Sequence, residues 1–305
     1  MSVGASHGPS YPAGSAGARH RWRLAVTFAL VAGFLIVELV TALAAGSLAL
    51  LSDAGHMAAD VVTLGAALVA TRIAARPDTT GRRTYGSYRA EVFASGVAVL
   101  SMLAVAAYVA VEAVRRIDET AHVAGTAMIA VGVLGLAVNL VSMLLLRPGA
   151  GESLNVKGAY LEVVADAAGS AGVVAAGVLV NLTGEAWWDT VVALLIGVFI
   201  AVRAILLGRE VVAVLAQHVP PGMTADEIER DLRDVPGVTD VHDLHLWSLT
   251  SGMHVATAHL VRADDADSHA VLDRAREVLR ARHGVEHATL QVEPRTHTGC
   301  SEMDW

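Results

Sequence analysis

SLALLSDAGHMAAD, residues 47–60, decides how the chain is read. The stretch is apolar, yet it carries Asp53, His56 and Asp60. His56 and Asp60 are four apart, so on a helix they point the same way, one turn above the other. An ionisable pair inside an apolar helix is costly, and such residues usually mark an ion path. Residues 160–170, YLEVVADAAGS, repeat the pattern with Glu162 and Asp166. Two such pairs offer four donors, enough to close a cage around a divalent metal ion. Asp53 lies seven residues before Asp60 and shares its face; close to the turn at 45–47 it would equally serve as a helix cap.

The surroundings of these stretches are too apolar for a soluble domain. Of 305 residues 54% are hydrophobic and only 17% are charged, which reads as a membrane protein of several spans. The net charge of −8 is unevenly placed. Arginines gather in a few loops of the apolar part, while the last hundred or so residues are rich in Asp, Glu and His. One cysteine, Cys300, excludes a disulfide framework and a cysteine-caged zinc site within one chain. Residues 1–20 hold Gly, Ser, Ala and His without an apolar core, and are expected to be a disordered tail rather than a cleaved signal peptide.

A helix that crosses a bilayer needs about 20 mostly apolar residues. Six runs qualify, at residues 22–44, 48–74, 88–114, 123–147, 154–182 and 187–208. The second and fifth, which carry the two pairs, are rich in Ala and Gly and allow close helix approach. Glu38 and Asn139, in the first and fourth runs, read as helix-contact or vestibule residues. With six spans, Arg19, Arg21, Arg23, Arg72, Arg76, Arg82, Arg83, Arg89, Arg147, Lys157 and Arg209 all fall on one side. That side should be cytoplasmic, and both termini with it. The interleaved Tyr85 and Tyr88 would fix the basic loop between the two parts of the protein.

After Pro220-Pro221-Gly222 the composition changes and a soluble domain begins. Thr224 with Glu227 reads as a capping box that opens a helix ending near residues 235–237. Residues 238–249 and 254–261 read as strands, 268–283 as an amphipathic helix and 288–293 as a last strand. The division expected is a tail at 1–20, a transmembrane domain at 21–209, a soluble domain at 210–293 and a tail at 294–305. The fold class is a six-helix transmembrane bundle followed by a small α+β sandwich of order α-β-β-α-β.

Four stretches in this order resemble the cation diffusion facilitator family, and more closely its bacterial zinc/cadmium/cobalt resistance branch. They are SLALLSDAGHMAAD, RRTYGSYRAEVFA (82–94), LNVKGAYLEVVADAAGS (154–170) and VHDLHLWSLTSG (241–252). The resemblance runs from about Arg21 to Glu293. It implies six transmembrane helices, a ferredoxin-like, metallochaperone-like cytoplasmic domain, a homodimer, and exchange of a divalent metal for protons in the cell membrane. Its transport site falls on His56, Asp60, Glu162 and Asp166; the zinc pattern most often has His where Glu162 stands. Its cytoplasmic ligands fall on His242, His259 and His269, with Glu293 and Gln291 at the strand end that completes such sites. The His site that some members carry after the second helix has no counterpart at residues 81–94.

The expected function is therefore an antiporter, not an enzyme, that exports zinc, with cadmium and cobalt as further substrates. Zn²⁺ is both cargo and regulator. Lipid, protons and a second copy are the other partners, and nucleic acid is not one. Three carboxylates and a neutral His cannot all ionise cheaply together in a low dielectric, so the site holds protons or a metal but not both. Two other classes stay open at this level: an intramembrane metalloenzyme, which lacks a His-Glu-x-x-His pair here, and a membrane-anchored metal sensor, which leaves the buried pairs without a task. Cys300 with His297 and Glu302 is a further candidate for soft metal binding.

Overall fold

The computed structural model describes residues 21–74, 84–87, 89–116, 123–150, 154–250 and 252–296. The expected tail at 1–20 and residues 297–305 of the expected tail at 294–305, with Cys300, lie outside them, as do Arg82, Arg83 and Tyr88 of the basic loop. Among the described residues six long helices come first: α1 (Arg21–Ala45), α2 (Leu48–Ala74), α3 (Ala90–Arg115), α4 (Gly125–Ala150), α5 (Leu154–Thr183) and α6 (Trp187–Leu215). They are followed by α7 (Ala225–Arg233), β1 (Val238–Thr250), β2 (Met253–Arg262), α8 (Ser268–His283) and β3 (His287–Pro294). Among the described residues, α1, α3, α4, α5 and α6 are long and apolar enough to cross a membrane. The remaining long helix, α2, holds 27 residues and the polar set Asp53, His56 and Asp60. α6 runs on to Leu215, past the 208 expected. Arg209 and Glu210 are charged, but Val211–Leu215 is apolar again and the next helix breaker is Pro220.

The chain divides into two compact units, residues 1–65 with 98–205, and residues 66–97 with 206–305. In the first, the usual distribution of polarity is inverted. Leu43, Leu100 and Leu182 are each more than two-thirds exposed, whereas Glu38, Asp53, His56, Asn139 and Asp189 are at most 2% exposed. Lipid accepts the outward leucines; the inward polar groups must find partners within the bundle. α4 packs along α5 and also meets α1. The α4–α5 contact is close because glycine lines it: a Cβ on Gly177 would come 2.8 Å from the carbonyl oxygen of Gly125, and one on Gly125 2.8 Å from that of Gly177.

The N-terminus of α2 is sealed from a distance. Gly46, at φ 65°, turns the chain back after α1. Ser47 then caps α2 by accepting from the Leu50 amide at 3.1 Å. Asp189, in the first turn of α6, accepts from the Leu48 amide at 2.6 Å, the Ala49 amide at 3.1 Å and the Ser47 hydroxyl at 2.6 Å. Arg116 completes the knot, 3.5 Å from Asp189 and donating to the Gly46 carbonyl at 2.9 Å. A buried carboxylate thus meets the positive end of a helix dipole. Capping is done here, so Asp53 is free for another role: it lies deeper, with its Oδ1 2.5 Å from where a Cβ on Gly169 of α5 would stand.

In the second unit β1 pairs antiparallel with β2, and β2 parallel with β3. Ile228 and Leu232 of α7 and Val271, Ala275 and Leu279 of α8 bury against Val241, Ala258 and Leu260 of the sheet. Gly284, left-handed at φ 64°, closes α8: its amide donates to the Arg280 carbonyl and the Val285 amide to that of Leu279. The expected capping box at α7 does not form. Thr224 makes no side-chain cap, and its hydroxyl instead reaches the Glu227 carboxylate at 3.4 Å.

Candidate functional site

α2 and α5 each present one face of paired donors to a common point. His56, Asp60, Glu162 and Asp166 each bring one ligand atom to within 4.8 Å of all the others. His56 Nε2 stands 3.7 Å from Asp60 Oδ2 and 3.5 Å from Asp166 Oδ1. Ligands around a zinc-sized ion at about 2.1 Å are roughly 3.4 Å apart in a tetrahedron, so a modest contraction would close this set on a metal. Asp60 Oδ2 and Asp166 Oδ1 are buried and accept no hydrogen bond among the described residues. Buried acceptors without a donor are rare and call for a ligand, an ion or a proton.

The four donors are unequally covered. His56 and Asp166 are buried, while the side chains of Asp60 and Glu162 keep 16% and 32% of their exposure. Arg203 of α6 is the fifth member of the group. Its two terminal nitrogens hold both oxygens of Glu162, Nη1 with Oε1 and Nη2 with Oε2, the latter at 2.8 Å. Nη1 also lies 3.2 Å from His56 Nε2, and Nη2 4.0 Å from Asp60 Oδ1. The ring of Phe199, one turn earlier on α6, meets His56 edge-on at 5.8 Å and the Arg203 guanidinium at 5.8 Å. The spacing argument does not reach Arg203. Its signal was an arginine placed well inside the apolar helix Trp187–Leu215.

A second cluster forms on the sheet. His242 of β1 pairs directly with His259 of β2, and His259 with Gln291 of β3. Strand side chains alternate, so His242, His259, Gln291 and Glu293 share the face opposite the core residues Val241, Leu260 and Val292. A register shift between His242 and His245, with Asp243 at φ 53°, re-aims this end of β1. His242, His259 and Glu293 bring ligand atoms within 4.8 Å of one another. His259 Nδ1 is 2.8 Å and His242 Nε2 3.7 Å from the Glu293 carboxylate, and Asp243 lies 3.8 Å from His259 Nε2. His269 stands outside this group. It is exposed in the first turn of α8, on the helix-covered side of the sheet, with its amide bonded to Asp267 at 3.2 Å.

The cation efflux transmembrane domain matches residues 24–216, and the cytoplasmic domain of cation efflux proteins matches residues 220–295. The chain belongs to the cation efflux family. Within it, the chain is similar to the metal cation efflux system protein CzcD of Cupriavidus metallidurans, 39% identical over 95% of this chain and 90% of that one. It is 31% identical to the cadmium, cobalt and zinc/H(+)-K(+) antiporter of Bacillus velezensis, over 92% and 91% of the two chains. It is 34% identical to the zinc transporter ZitB of Escherichia coli, over 89% and 87%. These relatives place it in the bacterial zinc/cadmium/cobalt branch of the cation diffusion facilitator family. As a family member it is a multi-pass membrane protein of divalent metal cation efflux, and the named relatives are transporters.

Proposed function

We propose that the chain exports zinc from the cytoplasm in exchange for protons, with cadmium and cobalt as further substrates. It acts as a homodimer in the cell membrane with both termini in the cytoplasm. The four donor atoms of His56, Asp60, Glu162 and Asp166, on two helices of an apolar bundle, carry this reading. One imidazole and three carboxylates suit a borderline to moderately hard dication. A metal ion and protons compete for the same lone pairs, so each departure of one admits the other. Helices that swing together about this point would open it to either side in turn. His242, His259 and Glu293 bind metal in the cytoplasmic domain and report the cytosolic load.

The test is zinc flux into proteoliposomes, read with an entrapped zinc dye, with and without an imposed pH gradient. Flux in the direction opposite to the proton gradient, abolished by Asp60→Ala, is expected. Flux by Asp60→Ala equal to that of the wild type would overturn the assignment of the site. Absence of flux in the wild type, with zinc still bound, would leave a sensor instead.

A further inference from the structure

Arg203 brings a fixed positive charge to a site otherwise built to hold a cation. It is not a remote neighbour: it engages Glu162 through both terminal nitrogens and approaches His56 at 3.2 Å and Asp60 at 4.0 Å. A guanidinium stays protonated at any physiological pH, so this charge cannot leave by losing a proton. It can leave only by moving. The fork geometry matches a carboxylate and is among the strongest ionic hydrogen bonds available to a side chain. Phe199 lies against both His56 and Arg203, and so the aromatic ring ties the arginine's position to the imidazole's.

Two consequences follow from this placement. Three ionised carboxylates would give the cavity −3, and Arg203 brings that to −2, the charge that a single dication neutralises. Moreover, a dication on Glu162 and a guanidinium on Glu162 would stand a few ångströms apart and repel. We propose that Arg203 is a resident cation of the transport site that competes with the metal ion for Glu162 and sets how tightly the site holds its cargo. It is a positioning residue: it gives up Glu162 when metal binds and reclaims it when metal leaves. A site without it would bind more tightly and let go more slowly. This inference rests on the four-donor site proposed above.

The experiment measures Zn²⁺ binding calorimetrically on the purified full-length protein, in a His242→Ala/His259→Ala background so that the membrane site is read alone. The same proteins are assayed for flux in proteoliposomes. Arg203→Gln should raise zinc affinity at least 10-fold while lowering maximal flux by a similar factor, a split between affinity and turnover that a damaged fold would not give. Arg203→Lys, which keeps the charge but not the fork, should fall between the two. In a Glu162→Gln background the Arg203→Gln effect on affinity should shrink to less than 3-fold, because the competition runs through Glu162. The absorption bands of bound Co²⁺ should also shift in Arg203→Gln, as Glu162 enters the ligand field more fully. Unchanged or weaker binding by an Arg203→Gln protein that stays monodisperse and melts like its parent would overturn the proposal. If Asp60→Ala leaves binding in this background intact, the four-donor site is refuted and the role of Arg203 falls with it; if Asp60→Ala abolishes binding while Arg203→Gln leaves it unchanged, the arginine's part alone is overturned.

Discussion

The Leu48 amide and the Asp189 carboxylate, 141 residues apart, are joined by a 2.6 Å hydrogen bond. Through that bond and two more to Ser47 and Ala49, α6 holds the first turn of α2, and His56 follows about two turns later on the same helix. The position of one donor therefore depends on a residue that no metal would touch. Asp189→Ala leaves the Leu48 and Ala49 amides without their acceptor and takes the carboxylate away from Arg116, and should cost roughly 3 kcal/mol. Asp189→Asn, which keeps one acceptor oxygen, should cost less. Thermal unfolding in detergent measures both, and zinc affinity should fall with stability in the alanine variant.

The α4–α5 contact sets a second expectation. Gly177 leaves no room for a methyl group against Gly125, Met128 and Ile129. Gly177→Ala should push the two helices apart at a cost of about 1–3 kcal/mol. Because α5 also carries Glu162 and Asp166, zinc flux per folded protein should drop together with the melting temperature. Flux retained at wild-type level in a destabilised protein would uncouple this contact from the site.

His254 of β2 gives a pH dependence outside the membrane. Burial pushes its imidazole below the ordinary His value, and the ring sits 3.0 Å from the Ser248 hydroxyl. The folded value is thus lower than the unfolded one. The neutral ring's contribution is fully present above about pH 6.5, the unfolded value, and is lost as pH falls through the lower folded value. Hydrogen exchange of the β2 amides should quicken as pH drops below about 6.5, after correction for the intrinsic rate. In His254→Asn that dependence should flatten.

For the sheet cluster, the prediction concerns affinity alone. In an Asp60→Ala background, Glu293→Gln should weaken zinc binding by about 100-fold. Glu293 lies within reach of both histidines and is the sole buried carboxylate of the three-residue cluster. His269→Ala should change binding by less than 3-fold in a single chain, since His269 lies on the other side of the sheet. Equilibrium dialysis at fixed pH separates the two.

Much of this was legible because it depends on local order. Helical spacing places His56 beside Asp60 and Glu162 beside Asp166, whereas His242, His259 and Glu293 are picked out by the family resemblance. What stayed hidden depends on contacts between distant elements. Asp189 reads as an ordinary first-turn acid of α6; that it seals α2 follows only from the packing of the two helices. Arg203 stood in plain view as a charge in an apolar run, but its partner on α5 is 41 residues away. His269 follows the sequence resemblance, yet a helix-borne side chain on the covered side of a sheet does not join a group on the other. α6 outruns its apolar stretch for a simpler reason: Arg209 and Glu210 interrupt the run without containing a helix breaker.

The graded exposure of the donors, from Glu162 at 32% and Asp60 at 16% to His56 at 2%, has a bearing on which ions the proposed transport site would pass. An arriving hydrated ion would trade its water one molecule at a time, first for the outermost carboxylate and last for the imidazole. Magnesium, which surrenders water reluctantly and insists on six oxygens, would stall at the threshold. Zinc and its soft-edged neighbours would go on to the end, so the proposed transport site would sort abundant ions from scarce ones by the order of its steps as well as by the strength of its grip.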